Sequence, residues 1–133
     1  MPMKPYLTLA QADAIGLAAR AEAEAHGFGV TIVVTDDAGN AIRLDRLDAA
    51  SLVSLTVAEA KAKTAVNLRM PTSAIGTMAE SMPNMIAIPG LMPFPGGLPL
   101  MHEGTLVGAI GVSGALGHED EQVAQAGAGA LRW

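Results

Sequence analysis

Apolar residues near the start of the chain recur at every third or fourth position, which is the spacing of an amphipathic helix. Three of the five positions of this stripe are alanine, and the stripe consists of Ala12, Ile15, Ala19, Ala23 and His26. Thr8 and Gln11 form the capping-box pattern that begins a helix, and Gly27 supplies the left-handed residue that often ends one. We therefore expect a first helix that begins near Leu9 and ends before Gly27.

A β-hairpin is predicted directly after this helix. Val30 to Thr35 is almost entirely β-branched, and such side chains favour the pleated backbone of a strand. Asp36 to Asn40 carries residues that favour a turn, and Ala41 to Leu47 alternates apolar with polar positions. These segments predict the first two strands of an antiparallel sheet.

A second long helix is predicted over residues 51–69, which contain neither glycine nor proline and carry an apolar stripe at helical spacing. Pro71 disfavours helical backbone at Met70, so the helix should end there. Residues 72–81 predict one or two further helical turns.

Proline and glycine dominate residues 83–99, which predicts an ordered loop with a short strand over Met85–Ile88. A second hairpin follows, with strands at Leu98–His102 and Thr105–Val112. Glu103-Gly104 between them has the length and the glycine of a two-residue hairpin turn.

The last segment predicts a helix over residues 118–131, because the acids at 119–121 suit the positive end of a helix dipole. Gly108 and Gly111 inside the preceding strand indicate close approach by another element. The order helix, hairpin, helix, loop, hairpin, helix predicts an α+β fold in which helices cover at least one face of an antiparallel sheet. The length of the chain predicts a single domain over residues 1–133.

Composition narrows the range of functions. Thirteen acidic and eight basic residues give a net charge of -5, which opposes phosphate backbones and anionic lipids, so neither nucleic acid nor a membrane is expected as a partner. The chain has no cysteine and therefore no disulfide or thiolate. The N-terminus lacks the pattern of a signal peptide, and no apolar run approaches the ~20 residues of a membrane span, so a cytoplasmic location is expected.

Three segments together carry a resemblance to a known family. They are the helical Ala60-Lys61-Ala62-Lys63-Thr64-Ala65, the loop Pro89-Gly90-Leu91 with Gly96-Gly97-Leu98-Pro99-Leu100, and the strand Val107-Gly108-Ala109-Ile110-Gly111-Val112-Ser113-Gly114-Ala115. The chain thus resembles the GlcG/HbpS family, which includes the C-terminal domain of PduO-type proteins. The resemblance implies a profilin-like antiparallel sheet of about five strands flanked by helices, and homo-oligomers that are often octamers. It also implies haem binding in some members and a link to the oxidation of small organic acids in others.

The glycine-rich loop is the first candidate for ligand binding. Gly90, Gly96 and Gly97 let backbone N–H groups approach a carboxylate or phosphate with no Cβ in the way. Lys61 and Arg46 are candidate counter-charges for such an anion. The other residues of the predicted pocket are Thr64, Pro89 and Leu98. Alternatively, the loop is a rigid turn that closes the sheet and the two cations are solvated surface residues.

Haem binding requires an axial ligand, and the histidines are the candidates for it. His26, His102 and His118 are too scattered for a metal-binding motif, so no metal site is predicted. The axial histidine of PduO-type domains falls in the region of the first helix, where His26 is the candidate.

These features predict an accessory protein that binds haem or a small organic acid in an apolar pocket beside the loop. A cofactor-independent isomerase, lyase or tautomerase is an alternative, with Lys61 or Asp37 as its acid–base group, although an aspartate in a turn more often serves local hydrogen bonds. A purely oligomeric scaffold is a third possibility. The methionines around the loop, interpreted as lining of a pocket or a subunit interface, are Met78, Met82, Met85 and Met92.

Overall fold

The computed structural model describes residues 1–133 and confirms the α+β class. The helices are α1 (Leu9–His26), α2 (Leu52–Leu68), α3 (Thr72–Ser81) and α4 (Gly117–Ala128), with a 3-10 helix at Pro83–Ala87. The strands are β1 (Thr31–Thr35), β2 (Ala41–Arg46), β3 (Gly97–His102) and β4 (Thr105–Ser113). None of the helices is long and apolar enough to cross a lipid bilayer.

The strands form one antiparallel sheet in the order β2-β1-β4-β3. Both predicted hairpins are confirmed, and β1 pairs with β4 in the centre, with Val33 opposite Gly111. Glu103 and Gly104 have φ values of 48° and 81°, the left-handed pair that a type I′ hairpin turn requires. Every residue of β1 is buried, whereas the edge strand β2 is half-buried or exposed throughout, which accounts for the alternating polarity of β2.

The helices cover both faces of the sheet. α1 and α4 pack against each other and against one face, where most of the larger core cluster lies, and α2 packs alone on the other face. The core positions of the helices are mostly alanine: Ala12, Ala19, Ala23, Ala58, Ala62, Ala65 and Ala124. Small side chains allow helix and sheet to approach closely, because little volume separates the backbones.

The predicted ends of α1 and α2 are confirmed. The Thr8 hydroxyl accepts a hydrogen bond from the Gln11 N–H at 3.2 Å, and the Gln11 side chain accepts one from the Thr8 N–H at 2.9 Å. Gly27 ends α1 with a φ of 71°. Arg69 ends α2 with a φ of 53°, two residues before Pro71, in a region that non-glycine residues rarely adopt.

The sheet has four strands, whereas the resemblance implied about five. The prediction of a short strand over Met85–Ile88 is wrong. Residues 83–87 form a 3-10 helix in which no residue is buried. Pro83 opens it, since proline presets a helical φ and its missing N–H costs nothing in a first turn. The local preference for a turn therefore outweighs the apolar composition of this segment.

Substitution of Gly111 should test the close approach of α2 to the sheet. A Cβ at Gly111 would overlap the backbone carbonyl of Ala58, so α2 would have to move away from β4. Gly111→Ala should lower the free energy of unfolding by about 1–3 kcal/mol, the typical cost of overpacking, as measured by urea denaturation.

The matched control is Gly129→Ala. Gly129 is exposed, has an ordinary helical φ of -65°, and the nearest atom to an added Cβ lies at 3.3 Å. This variant should unfold near the wild-type midpoint. Equal midpoints for the two variants would contradict the packing described here.

Candidate functional site

Lys61 is a buried charged residue at the point where α2, α4 and the end of β4 meet. Its side chain is 2% exposed, and its Nζ donates hydrogen bonds to Asp120 Oδ2 and to the Val112 carbonyl, both at 2.9 Å. The other Asp120 oxygen accepts the Ala115 N–H at 2.9 Å. The ion pair therefore fixes the first turn of α4 to the helix on the opposite face of the sheet.

The environment of Asp120 shifts the pKa of its carboxyl upward. Burial raises the pKa of the Asp120 carboxyl above its usual value, and the hydrogen bonds from Lys61 and the Ala115 N–H oppose this shift without cancelling it. Burial of a carboxylate is costly unless it is paired, so Asp120 depends on Lys61 to stay charged inside the protein.

Gly96 and Gly97 lie directly against Lys61. A Cβ on Gly96 would come within 2.8 Å of the Lys61 Nζ, and one on Gly97 would come within 2.7 Å of the Thr72 methyl group. The Gly97 N–H is donated to the Thr72 hydroxyl at 2.8 Å, and the Gly96 carbonyl accepts the Val112 N–H at 2.9 Å. The Gly97 N–H and the Gly96 carbonyl are thus engaged within the protein, and they hold the loop against α3 and β4.

Thr64 fixes the preceding part of the loop. Its hydroxyl donates to the Gly90 carbonyl at 3.2 Å and accepts the Met92 N–H at 3.0 Å. The cavity between α2 and this part of the loop has a volume of only about 40 Å³. It is lined by Thr64, Asn67, Leu68, Ile88, Pro89, Gly90 and Leu91. Since small-molecule pockets usually measure about 300–1,000 Å³, a single chain has no room there for haem.

A much larger concavity, here named the α1-end groove, lies between the end of α1 and the segment that follows β2. Its volume is about 570 Å³. It is lined by Arg20, Glu24, Gly27, Phe28, Gly29, Asp45, Arg46, Leu47, Asp48 and Ala49. Arg20 pairs with Glu24 at 2.7 Å and Asp45 pairs with Arg43 at 2.9 Å, whereas Arg46 is exposed and makes no ion pair.

His26 lies beside this groove, at the last position of α1. Its ring stacks on Phe28 with centroids 5.3 Å apart, and Phe28 lines the groove. The His26 Nε2 lies 3.3 Å from Glu22 and 3.2 Å from the Gln122 side-chain nitrogen. The side chain is 48% exposed, so these contacts are on the surface.

The structure thus separates the predicted site residues into groups. Lys61, Thr64, Gly90, Gly96 and Gly97 lie together along α2, with Pro89 beside them. Arg46 lines the α1-end groove, and His26 stacks on Phe28 of the same groove. Leu98 packs against the larger core cluster.

The two alternative acid–base candidates, Asp37 and Lys61, lie in different ion pairs. Asp37 accepts the Lys4 ammonium at 2.6 Å in the turn between β1 and β2. Lys61 is held by Asp120 instead. No group of three or more histidine, aspartate or glutamate side chains is placed to hold a metal ion.

Asp120 is the important residue that sequence reasoning missed. It lies among the acids interpreted as partners of the α4 dipole. The position of Lys61 indicated that such a partner was needed, since Lys61 lies among the buried alanines of α2, next to Ala62 and one turn after Ala58. A lysine on a buried face requires a carboxylate partner.

Comparisons with known proteins agree closely on this architecture. A family model described as "Haem degrading protein HbpS-like" matches residues 7–129. Protein GlcG of Escherichia coli K12 is 34% identical over 114 residues, which cover 85% of each chain. A double mutant of Streptomyces reticuli HbpS is 37% identical, with a TM-score of 0.92 over 100% of this chain and 92% of its own. The PduOC:haem complex is 25% identical, with a TM-score of 0.89 over 96% of each chain.

The variant Lys61→Met tests the dependence of Asp120 on its partner. At pH 7 it should lower the free energy of unfolding by about 3–5 kcal/mol, because an unpaired carboxylate is left buried. Without the ammonium, the pKa of Asp120 should rise further above its unfolded value. The folded variant then binds a proton more readily than the unfolded chain, so the loss relative to wild type should shrink as the pH falls toward 4.

Lys63→Met is the matched control, since Lys63 is exposed two residues further along the same helix. Urea denaturation at pH 7 and at pH 4.5 measures both variants. A loss for Lys61→Met that is the same at the two pH values would contradict the role given to Asp120.

Proposed function

The chain belongs to the HbpS-like family, as its sequence motifs predict, and on this basis we propose that it is an accessory protein that binds haem. The proposal rests on the α1-end groove, a concavity of about 570 Å³ that is lined by the unpaired Arg46 and by Phe28, on whose ring His26 stacks. The haem complex of its relative PduOC supports this choice of ligand.

The groove has the chemical groups that haem binding needs. An exposed imidazole at His26 can ligate the iron, and the ring of Phe28 with the side chain of Leu47 offers apolar contact to the porphyrin. Arg46 can hold a propionate through its guanidinium, which pairs well with carboxylates. Bound haem would supply the iron chemistry, while the chain supplies the axial nitrogen and the counter-charge.

The charges of the groove are compatible with this ligand. Three carboxylates line it, from Glu24, Asp45 and Asp48. The first two are already paired with arginines, which leaves Asp48 and Arg46 as the groups without an ion pair. Ligation at the His26 Nε2 would replace its contacts with Glu22 and Gln122. Such exposed contacts contribute little to stability, so the exchange is inexpensive.

A small organic acid would use the same arginine and would need no axial ligand. It is the second ligand class that the proposal includes, since Arg46 would bind any carboxylate in this way. An isomerase, lyase or tautomerase has less support. Each of its alternative acid–base candidates already makes an ion pair, Lys61 with Asp120 and Asp37 with Lys4.

The proposal also includes a cytoplasmic homo-oligomer, with the octamer as the expected state. Several large apolar side chains are more than half exposed on a single chain, which is typical of a surface that subunits cover. They include Leu9, Leu17, Leu52, Val53, Ile86 and Phe94.

Haem titration of the purified apoprotein, followed by absorbance, tests the ligand. We expect a saturable Soret shift with one haem per chain that is lost in His26→Ala. His118→Ala is the matched control and should keep the shift, because His118 is an exposed histidine in the first turn of α4.

A shift that survives His26→Ala would rule out this residue as the axial ligand. If the wild-type protein shows no saturable shift, haem is the wrong ligand, and thermal shifts with small organic acids would then test Arg46 through Arg46→Gln.

Light scattering tests the assembly. The molar mass in solution should be several times the 13.5 kDa of one chain. A monomeric mass at micromolar concentration would contradict the oligomer and would leave the exposed apolar residues without a partner.

A further inference from the structure

Arg43 lies on β2 and joins this strand to α1. Its Nε and one terminal nitrogen donate to the two oxygens of Asp45 at 3.0 and 2.9 Å. Its other terminal nitrogen donates to the Asp13 carboxylate at 3.2 Å and to the Asp13 carbonyl at 3.3 Å. The side chains of Arg43 and Asp45 are only 19% and 16% exposed, so this bidentate ion pair is largely shielded from solvent.

A glycine inside α1 makes room for the Arg43 side chain. Gly16 is buried in the middle of the helix, where glycine costs about 1 kcal/mol relative to alanine. A Cβ at Gly16 would lie 2.7 Å from the Arg43 Nε and 2.8 Å from its Cδ. The guanidinium therefore lies against the helix at a point that a larger residue would block. The position of Arg43 thus depends on both elements, unlike that of a solvated surface arginine.

The charge of the α1-end groove depends on Arg43. Two arginines and three carboxylates line the groove, which leaves the lining with a net charge of -1. Arg43 is not part of the lining, but its pair with Asp45 brings the total to zero. Asp45 and Arg46 both line the groove, so an unpaired Asp45 carboxylate would repel an anionic ligand and attract the Arg46 guanidinium.

We propose that Arg43 is a positioning residue of the groove, which neutralises Asp45 and so leaves Arg46 free to bind an anionic ligand. This inference rests on the proposed function, since it takes the ligand to be haem or another molecule that carries a carboxylate. Arg43 acts through Asp45 and does not itself touch the ligand. Without Arg43, the groove would carry a net negative charge and would repel a carboxylate.

The test is a haem titration of full-length variants beside the wild type. Arg43→Gln should bind haem about three- to tenfold more weakly, because it leaves Asp45 charged and unpaired. Arg43→Gln/Asp45→Asn removes both charges and should regain most of the affinity. Lys63→Gln is the matched control. It removes one positive charge from an exposed position on α2, across the sheet from the groove, and should bind as the wild type does.

Recovery in the double variant separates charge from packing. The contacts of Arg43 with α1 are missing in both variants, so a purely structural role would leave the double variant as weak as Arg43→Gln. The loss in Arg43→Gln should also shrink as the salt concentration rises, because salt screens the charge of Asp45.

Two outcomes would overturn the role of Arg43 alone: haem binding that is undiminished in folded Arg43→Gln, and a double variant that binds no better than Arg43→Gln. A wild-type protein that does not bind haem would overturn the proposed haem function and this role together. Should Arg43→Gln fail to fold, Gly16→Ala displaces the guanidinium and favours the helix, and it should weaken haem binding measurably. Unchanged affinity in that variant would equally contradict the proposal.

Discussion

The ion pair between Lys61 and Asp120 determines much of what surrounds it. A buried ammonium is costly unless it is paired and hydrogen-bonded, and this one donates to the Asp120 carboxylate and to the Val112 carbonyl. A side chain on Gly96 would overlap the Val112 carbonyl and come within 2.8 Å of the ammonium, and the φ of Gly96 is 128°, which together explain a glycine there. Through this one contact, α2 and α4 are joined across the end of the sheet that separates them.

A second constraint, the attachment of the loop to α2, limits where a ligand can bind. The Thr64 hydroxyl holds the loop at Gly90 and Met92, and the cavity left there between the loop and α2 is only about 40 Å³. The larger α1-end groove lies elsewhere in the fold, between the end of α1 and the segment after β2. Arg46 in this groove makes no ion pair. The charges of Lys61 and Asp120 thus stabilise the fold, whereas the charge of Arg46 in the α1-end groove is exposed to solvent.

The secondary structure could be predicted because its determinants are local. The capping box at Thr8, the β-branched residues of β1 and the turn at Glu103-Gly104 each specify their own backbone conformation. Met85–Ile88 was predicted wrongly because the periodicity of a short apolar segment does not distinguish a strand from a helical turn, and Pro83 favoured the turn.

The candidate site was less predictable because it depends on contacts between distant parts of the chain. The pairing of Lys61 with Asp120 joins residues 59 positions apart, and the proximity of Arg46 to the end of α1 depends on how β2 packs beside that helix. The sequence predicted that Lys61 binds a ligand, and the structure adds that its ammonium is paired with Asp120 and the Val112 carbonyl.

The segment formed by α3 and the 3-10 helix differs from the rest of the fold in how little of it is buried. Only Thr72 and Ile75 of α3 are buried, and no residue of the 3-10 helix is. A segment with so few buried contacts opens at a lower free energy than the central strands, which become accessible only when the whole domain unfolds. Its amide hydrogens should therefore exchange with solvent by local opening, so that any partner or ion held on this segment slows their exchange and leaves that of β1 and β4 unchanged.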